Sequence, residues 1–277
     1  FFNLSIWQWM NVGDYQKALR ECRRAIHHFE NLPFNHKTAR AGYYLDAVVC
    51  LIQLQLHDEA EKNIQKALSL TSSGSSRWMR LQETSLILNF HRGRYQEAVG
   101  IFQKVVRNSA FVRLADRHQE RWRLYHAYLS YLESIGQIDF SSGKQKKFRL
   151  QKFLNDMPTY SHDKRGLNIP ILIIQSLFLA QQGQYGKVEK RLDALQRYTS
   201  RYLLKNDTYR SNCFIKMLLT ASRRGFHRQA TIRHAGRYLD KLKEVPLADA
   251  RQANEIEIVP YEDLWKLFLG TLDNKIH

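Results

Sequence analysis

Proline is scarce in this chain, with only five among 277 residues. Proline removes a backbone donor and disrupts the interior of a helix, so a low content leaves room for long helices. All five stand where the sequence predicts that a helix begins or ends: Pro33, Pro158, Pro170, Pro246 and Pro260. The chain is therefore predicted to be built mainly of α-helices.

Long apolar runs and targeting signals are also missing. No stretch approaches the ~20 apolar residues that span a bilayer, and the N-terminus does not resemble a secretory signal. The three cysteines, Cys22, Cys50 and Cys213, lack the spacing of a metal site, so we expect buried thiols in a reducing compartment. We predict a cytoplasmic protein without a membrane span. Because the chain begins at Phe1, we expect a fragment of a longer protein.

Catalytic motifs are absent too. The sequence contains no phosphate-binding P-loop, no His-Glu-x-x-His and no Gly-x-Ser-x-Gly elbow. His27 and His28 would project about 100° apart on a helix, so they cannot easily share a metal ion. Cys22 beside a histidine could act as a nucleophile, but no residue is in place to orient the base. We therefore predict no enzymatic activity, no cofactor and no metal site.

The chain does contain a recurring phrase. A glycine is followed closely by an aromatic residue and, five residues after the glycine, by Ala or Val, at Gly13, Gly93, Gly183 and Gly225, with a degenerate copy ending at Ala60. The copies recur every 38 to 45 residues if the 90-residue gap before Val188 holds one copy without the phrase. Such a period indicates a supersecondary unit that buries its apolar face by stacking on copies of itself.

Each phrase reads as a turn between two helices. After Gly93 the apolar residues Ala98, Phe102 and Val105 recur at intervals of three and four, which places them on one helical face. The glycine supplies the left-handed backbone that ends the preceding helix. The small residue lets the second helix approach the first closely.

The phrase resembles the second half of the tetratricopeptide repeat, in which an alanine is followed by apolar positions four and seven residues later. The resemblance implies an all-α, right-handed superhelical solenoid of about six antiparallel helix pairs. The matching residues are Ala18, Cys22 and Ala25, then Ala60, Ile64 and Ala67, then Ala98, Phe102 and Val105, then Val188, Leu192 and Leu195, with Ala230, His234 and Arg237 as a poor sixth match. The repeats here exceed the ~34 residues usual in the family.

The helix pairs are predicted near residues 1–32, 37–71, 76–108, 113–157, 168–204 and 207–244, so that the array covers 1–244 and a C-terminal capping segment covers 245–277. This chain departs from the family pattern at the eighth position of the first helix in each pair. A small residue is usual there, whereas Ile6, Val48, Leu86, Leu129 and Leu218 stand there here.

The C-terminal segment has a pattern of its own. Glu255 to Val259 alternates like an extended strand, and Pro260 then opens a helix from Tyr261 to about Leu272 with a broad apolar face. We expect this helix to dock on the last repeats. It is either a cap that seals the end of the solenoid or a built-in pseudo-ligand that occupies the groove.

Positive charge is concentrated in the later repeats. The net charge is +5 over residues 1–110, +15 over 111–244 and −3 over 245–277, for a total of +17. Such a field attracts acidic peptide, nucleic acid or membrane phosphate without choosing among them. Arg223, Arg224 and Arg228 lack nearby acids in the sequence and are the stronger candidates for a partner contact.

In tetratricopeptide proteins the first helix of each pair lines the inner groove that binds a partner. The resemblance implies that the equivalent positions here, together with the basic end of the groove, form the binding site: Arg80, Glu83, Ile87, His91, Arg123, His126, Ile173, Leu177, Asn212, Lys216, Arg223 and Arg224.

Three functions are compatible with these patterns. The first is a non-catalytic scaffold that binds a partner protein or peptide, with an acidic partner as one option. The second is the ligand- or peptide-sensing helical region of a larger bacterial-type regulator. The third is nucleic-acid binding through the basic repeats, which requires exposed aromatic residues for stacking.

Overall fold

All regular structure in the described residues is helical. The computed structural model describes residues 2–34, 36–140, 148–156, 167–202, 209–250 and 257–273. Within these ranges lie thirteen α-helices and no strand: α1 Phe2–Asn11, α2 Tyr15–Glu30, α3 Lys37–Gln53, α4 His57–Ser69, α5 Ser76–His91, α6 Tyr95–Val106, α7 Asp116–Ser134, α8 Leu150–Asp156, α9 Asn168–Gln181, α10 Tyr185–Tyr202, α11 Tyr209–Arg223, α12 Arg228–Glu244 and α13 Tyr261–Asp273. The all-helical prediction is confirmed.

The chain divides into two compact units. One comprises Phe1–Gln119 with Leu247–Ala253, and the other comprises Glu120–Pro246 with Asn254–His277. In the first unit α1 to α6 pack in chain order, each against the next, and α3 also packs on α5. In the second unit α9, α10, α11 and α12 pack successively, and α13 packs on α9, α11 and α12.

The turns inside the helix pairs share one backbone geometry. Gly93 has a φ of +66°, and the amide of Arg94 donates to the carbonyl of Asn89 at 2.9 Å, which is the hydrogen bond of a Schellman C-cap. Gln55, at φ +59°, takes the place of glycine in the degenerate copy. The copy that lacks the phrase has the same turn at Gly136, where the amide of Gln137 donates to Leu132. The turn is thus more regular than the phrase that marks it.

The predicted packing positions of the second helices are buried in four copies. Each of the four triplets contains a small residue or valine followed by two further buried residues, and no member is more than 4% exposed: Ala18, Cys22, Ala25, Ala60, Ile64, Ala67, Ala98, Phe102, Val105, Val188, Leu192 and Leu195. The large residues at the eighth place of the first helices are buried as well: Ile6, Val48, Leu86, Leu129 and Leu218. These helices therefore pack through bulky residues where the family uses small ones.

The last pair does not follow the predicted register. Thr231 and Ala235 are buried, whereas Ala230 is only partly buried and Arg237 is exposed. The turn holds one more residue than the others, because Phe226 at φ +60° follows Gly225 at φ +59° before α12 begins. The match of Ala230, His234 and Arg237 to the repeat is therefore wrong by one residue.

The fourth pair is irregular, since α7 is followed only by the seven-residue α8. No helix among the described residues is both long and apolar enough to cross a membrane. Within the same ranges, no group of three or more His, Cys, Asp or Glu side chains could hold a metal ion. Cys22, Cys50 and Cys213 are free and buried, as predicted.

Candidate functional site

A cleft lined by basic side chains lies between α11 and α12 in the second unit. Its volume is about 370 Å³. One side consists of Thr220 and Arg223 of α11 with Arg224 directly after it, and the other consists of Arg233, His234 and Arg237 of α12. We call this feature the basic cleft. It brings together Arg223 and Arg224, which were identified from the sequence, with Arg233, His234 and Arg237, which were not among the predicted contact residues.

The basic face of α11 is set by helical geometry. Ser211 and Phe214 face α13, where the Ser211 hydroxyl lies 2.9 Å from that of Tyr261 and the Phe214 ring stacks on Tyr261 at 4.6 Å. At 100° per residue, Lys216 and Thr220 lie on roughly the opposite side of the helix. One face of α11 is therefore committed to the core, and the other carries the cleft.

The basic face of α12 follows from the extra residue in the preceding turn. Because the inner positions shift to Thr231 and Ala235, the neighbouring His234 and Arg237 turn outward. Arg233 and Arg237 are four residues apart, so they lie on the same side of the helix. The one-residue shift thus brings three basic side chains to face α11.

No carboxylate lines the cleft among the described residues. Arg224 Nη2 lies 3.4 Å from His234 Nδ1, with the guanidinium as the donor. Partial desolvation, and then the positive charge of Arg224, Arg233 and Arg237, lower the pKa of His234. Both effects favour the neutral form of the histidine.

Tyr238 supports one edge of the cleft. Arg237 donates from Nη2 to the Tyr238 hydroxyl at 3.0 Å, and its Cζ lies 4.7 Å from the centre of the ring. Lys216 Nζ lies 5.9 Å from the same ring. These contacts orient Arg237 and extend the positive surface along α11.

The positions implied for an inner groove in the first unit are mostly buried. Arg80 is exposed, but Glu83, Ile87 and His91 are each no more than 9% exposed. The ring of His91 packs against His57, with 6.2 Å between their centroids. A contact with a partner needs an accessible side chain, and these three residues expose little of theirs.

In the second unit the inner positions are covered by segments of the same chain. Ile173 and Leu177 are fully buried within α9, while Arg123 is exposed and Asn212 is partly buried. The ring of His126 lies 5.5 Å from that of Phe140 and 5.1 Å from that of Phe148, and burial lowers its pKa to about 4. These two contacts could not be predicted from sequence, because Phe140 and Phe148 follow α7 without a repeat pattern that would place them.

The C-terminal helix α13 packs into the second unit. Its apolar face is buried through Leu264, Trp265, Phe268 and Leu272. The predicted strand is not observed in its described part, residues 257–259, and residues 255 and 256 lie outside the described ranges. The predicted helix from Tyr261 to about Leu272 is confirmed as Tyr261–Asp273.

A buried ion pair fixes α13 to the unit. Arg210, 1% exposed, donates from Nε and Nη2 to the two oxygens of Glu257 at 2.6 and 3.1 Å, and from Nη2 to Glu262 at 2.7 Å. Its Nη1 donates to the carbonyls of Leu242 and Val245 at 3.0 and 2.8 Å. Burial lowers the pKa of Arg210, but the hydrogen bonds and charge of the two glutamates outweigh it and raise that pKa.

Two acids of the tail, Glu257 and Glu262, are thus paired with Arg210, and no described residue of the tail lines the basic cleft. This arrangement agrees with a cap and gives no support to a tail that occupies the basic residues as a pseudo-ligand. Arg210 was not predicted, because an arginine at the start of a helix has the sequence signature of a surface residue. Its acidic partners follow 47 and 52 residues later in the chain.

Comparisons with known proteins found no match that bears on the site. No protein-family model, no curated protein and no solved structure matches the chain. The likeness to tetratricopeptide repeats therefore depends on the turn phrases and packing positions described above.

Proposed function

We propose that this chain is a non-catalytic binding module whose basic cleft binds an acidic segment of a partner protein. The observation that carries the proposal is the cluster of Arg223, Arg224, Arg233 and Arg237 around one opening with no carboxylate lining it in the described ranges. The tetratricopeptide resemblance supports a scaffold role in general terms, since stacked helix pairs commonly present surfaces to other proteins.

Crowded arginines weaken the fold unless an anion binds them. Two cations at i and i+4, such as Arg233 and Arg237, repel by ~0.2–0.5 kcal/mol in an exposed helix. After desolvation, which is the larger cause, the same arginines also lower the pKa of His234. An acidic segment in the cleft would relieve both, and the net charge of +17 would speed its approach.

An acidic protein segment fits the cleft better than nucleic acid does. Binding of single strands requires exposed aromatic faces on which bases stack. The aromatic residue beside the cleft is Tyr238, and the side chains of Arg237 and Lys216 lie against its ring. The cleft therefore offers charge and hydrogen-bond donors without a free stacking platform.

The proposed site also differs from the groove that the resemblance implied. The inner positions Ile173 and Leu177 are buried, and His126 is covered by Phe140 and Phe148. Lys216, Arg223 and Arg224 are exposed. Of the predicted contact residues in the second unit, those at the basic end are retained in the proposal.

The test is charge reversal with a matched control. The double variant Arg223→Glu/Arg224→Glu should weaken binding of a labelled oligoglutamate peptide by about tenfold or more, or ~1.4 kcal/mol, in fluorescence anisotropy at physiological salt. The control Lys190→Glu/Arg197→Glu makes the same charge change at exposed positions of α10. It should lose much less affinity.

Equal losses in both double variants would contradict the proposal, because they would show general attraction to a basic protein. Stronger displacement of the peptide by a single-stranded oligonucleotide of equal charge would instead favour nucleic-acid binding. Circular dichroism on both variants establishes that the fold is retained.

A further inference from the structure

The chemistry of the basic cleft points to a more specific ligand than a run of carboxylates. We propose that the cleft recognises a phosphorylated side chain, a phosphate monoester dianion on a serine, threonine or tyrosine of the partner. This inference depends on the proposed function, since it concerns the same cleft, and it goes beyond it by naming the group that is bound.

The donors that converge on the cleft are almost all guanidinium groups. Each arginine offers five N–H donors in a rigid planar fork. Arg223 and Arg233 form no ion pair among the described residues, and the side chain of Arg224 has a hydrogen bond of 3.4 Å to His234. The Thr220 hydroxyl already donates to the carbonyl of Lys216 at 2.7 Å. The cleft thus presents a cationic set of donors aimed at one space.

Charge and geometry favour phosphate over carboxylate in such a setting. A carboxylate brings one negative charge and two acceptor oxygens, whereas a phosphate monoester brings ~1.5–2 charges at neutral pH and three strong acceptor oxygens. Guanidinium groups match phosphate oxygens in bidentate pairs. Four arginines around one opening can surround a dianion, but they exceed what one carboxylate can neutralise.

The size of the cleft agrees with a single phosphorylated side chain. Its volume of about 370 Å³ lies at the low end of the range for small-ligand sites. A peptide would therefore place one side chain in the cleft and run across its rim, where Lys216 and Arg237 extend the positive surface.

The arginine side chains must supply the recognition, because the local backbone does not. Arg223 and Arg224 lie at the C-terminal end of α11, where the helix dipole favours cations and disfavours anions. A charge-conserving change of arginine to lysine should therefore remove much of the preference for phosphate, since lysine loses the planar fork but keeps the charge.

The experiment uses three peptides with the same acidic flanks and serine, glutamate or phosphoserine at the centre. Anisotropy titrations of the full chain should show the phosphoserine peptide binding about tenfold more tightly than the glutamate peptide. In the variant Arg233→Lys/Arg237→Lys this preference should shrink to about threefold or less, with the affinity for the glutamate peptide nearly unchanged. Inorganic phosphate should compete more effectively than chloride at equal ionic strength.

Equal affinity for the phosphoserine and glutamate peptides would overturn the phosphate inference while leaving the proposed function in place. Failure of all three peptides to bind would overturn both. A preference for phosphoserine that persists unchanged in the lysine variant would also count against the inference, because the phosphate would then be bound elsewhere.

Discussion

The ion-paired arginines of the first unit and the arginines of the basic cleft have opposite surroundings. In the first unit Arg23 pairs with Glu59 at 2.7 Å, Arg40 with Glu30 at 3.2 Å, and Arg92 with Asp58 at 2.8 Å. In the second unit the arginines of the basic cleft have no acid beside them in the described ranges, while the tail glutamates pair with the buried Arg210. Charge in these pairs of the first unit links side chains of the protein to one another, and charge in the cleft is what we propose a ligand neutralises.

The largest expected effect is the loss of stability when a buried ion pair is broken, compared with a partly exposed one. Arg210→Ala leaves Glu257 buried without its counter-charge, so it should lower the free energy of unfolding by ~3–5 kcal/mol. Arg40→Ala, which breaks a partly exposed pair with Glu30, should cost ~0–1 kcal/mol. Urea unfolding followed by circular dichroism measures both. A loss below 1 kcal/mol for Arg210→Ala would show that the tail is not anchored as described.

The next effect tests the register of the second helices. Ala98 is fully buried, so Ala98→Leu should overpack a helix crossing and cost ~1–3 kcal/mol. Ala230 is only partly buried, so Ala230→Leu should stay within ~0.5 kcal/mol of the parent protein. Thr231→Leu, at the true inner position of α12, should behave like Ala98→Leu. A larger loss of stability in Ala230→Leu than in Thr231→Leu would instead support the register predicted from sequence.

A pH-dependent loss of stability of up to ~3 kcal/mol is expected from His126, at ~1.4 kcal/mol for each pH unit between its two pKa values. Its pKa in the folded state is lowered to about 4 by burial, against an ordinary value near 6.5. Stability is therefore present above about pH 6.5 and is lost as pH falls toward 4, because the unfolded state takes up the proton first. Chemical unfolding at a series of pH values should show a shallower loss in His126→Leu. An identical pH profile in that variant would exclude His126 as the cause.

The smallest effect concerns the affinity of the basic cleft. The pKa of His234 is lowered by partial desolvation and by the neighbouring arginines, and a bound anion would raise it again. Binding then takes up a proton, so the affinity for an oligoglutamate peptide should rise about two- to threefold between pH 8 and pH 6. Glutamate stays ionised over this range. His234→Ala should remove the dependence, and a dependence that survives would assign it to another group.

Sequence periodicity predicted the features that depend on local spacing. The turn glycines and triplets such as Ala60, Ile64 and Ala67 could be identified because each helix pair repeats the same turn and the same intervals. The register of the last pair was missed because Phe226 adopts a positive φ, which a bulky residue rarely does. One added residue moved every side chain of α12 around its axis.

The candidate site was only partly predictable, because its limits depend on contacts distant in sequence. Lys216, Arg223 and Arg224 were identified from the lack of acids nearby in the chain. Arg233 and Arg237 were not identified as contact residues, because the predicted register of α12 was wrong by one residue. The burial of Ile173 and Leu177, which the resemblance placed in the inner groove, could not be predicted, since the packing that buries α9 includes α13 from the far end of the chain.

Side-chain NMR of the arginines is the most direct test of the basic cleft as the binding site. Nε–H resonances, assigned by single arginine substitutions, would be followed while the phosphoserine peptide is added to the full chain. We expect shifts at Arg223, Arg224, Arg233 and Arg237, with Arg23, Arg40 and Arg92 of the first unit unchanged. Shifts of equal size in the paired arginines of the first unit, or saturable binding with no shift in the cleft, would contradict the assignment of this site.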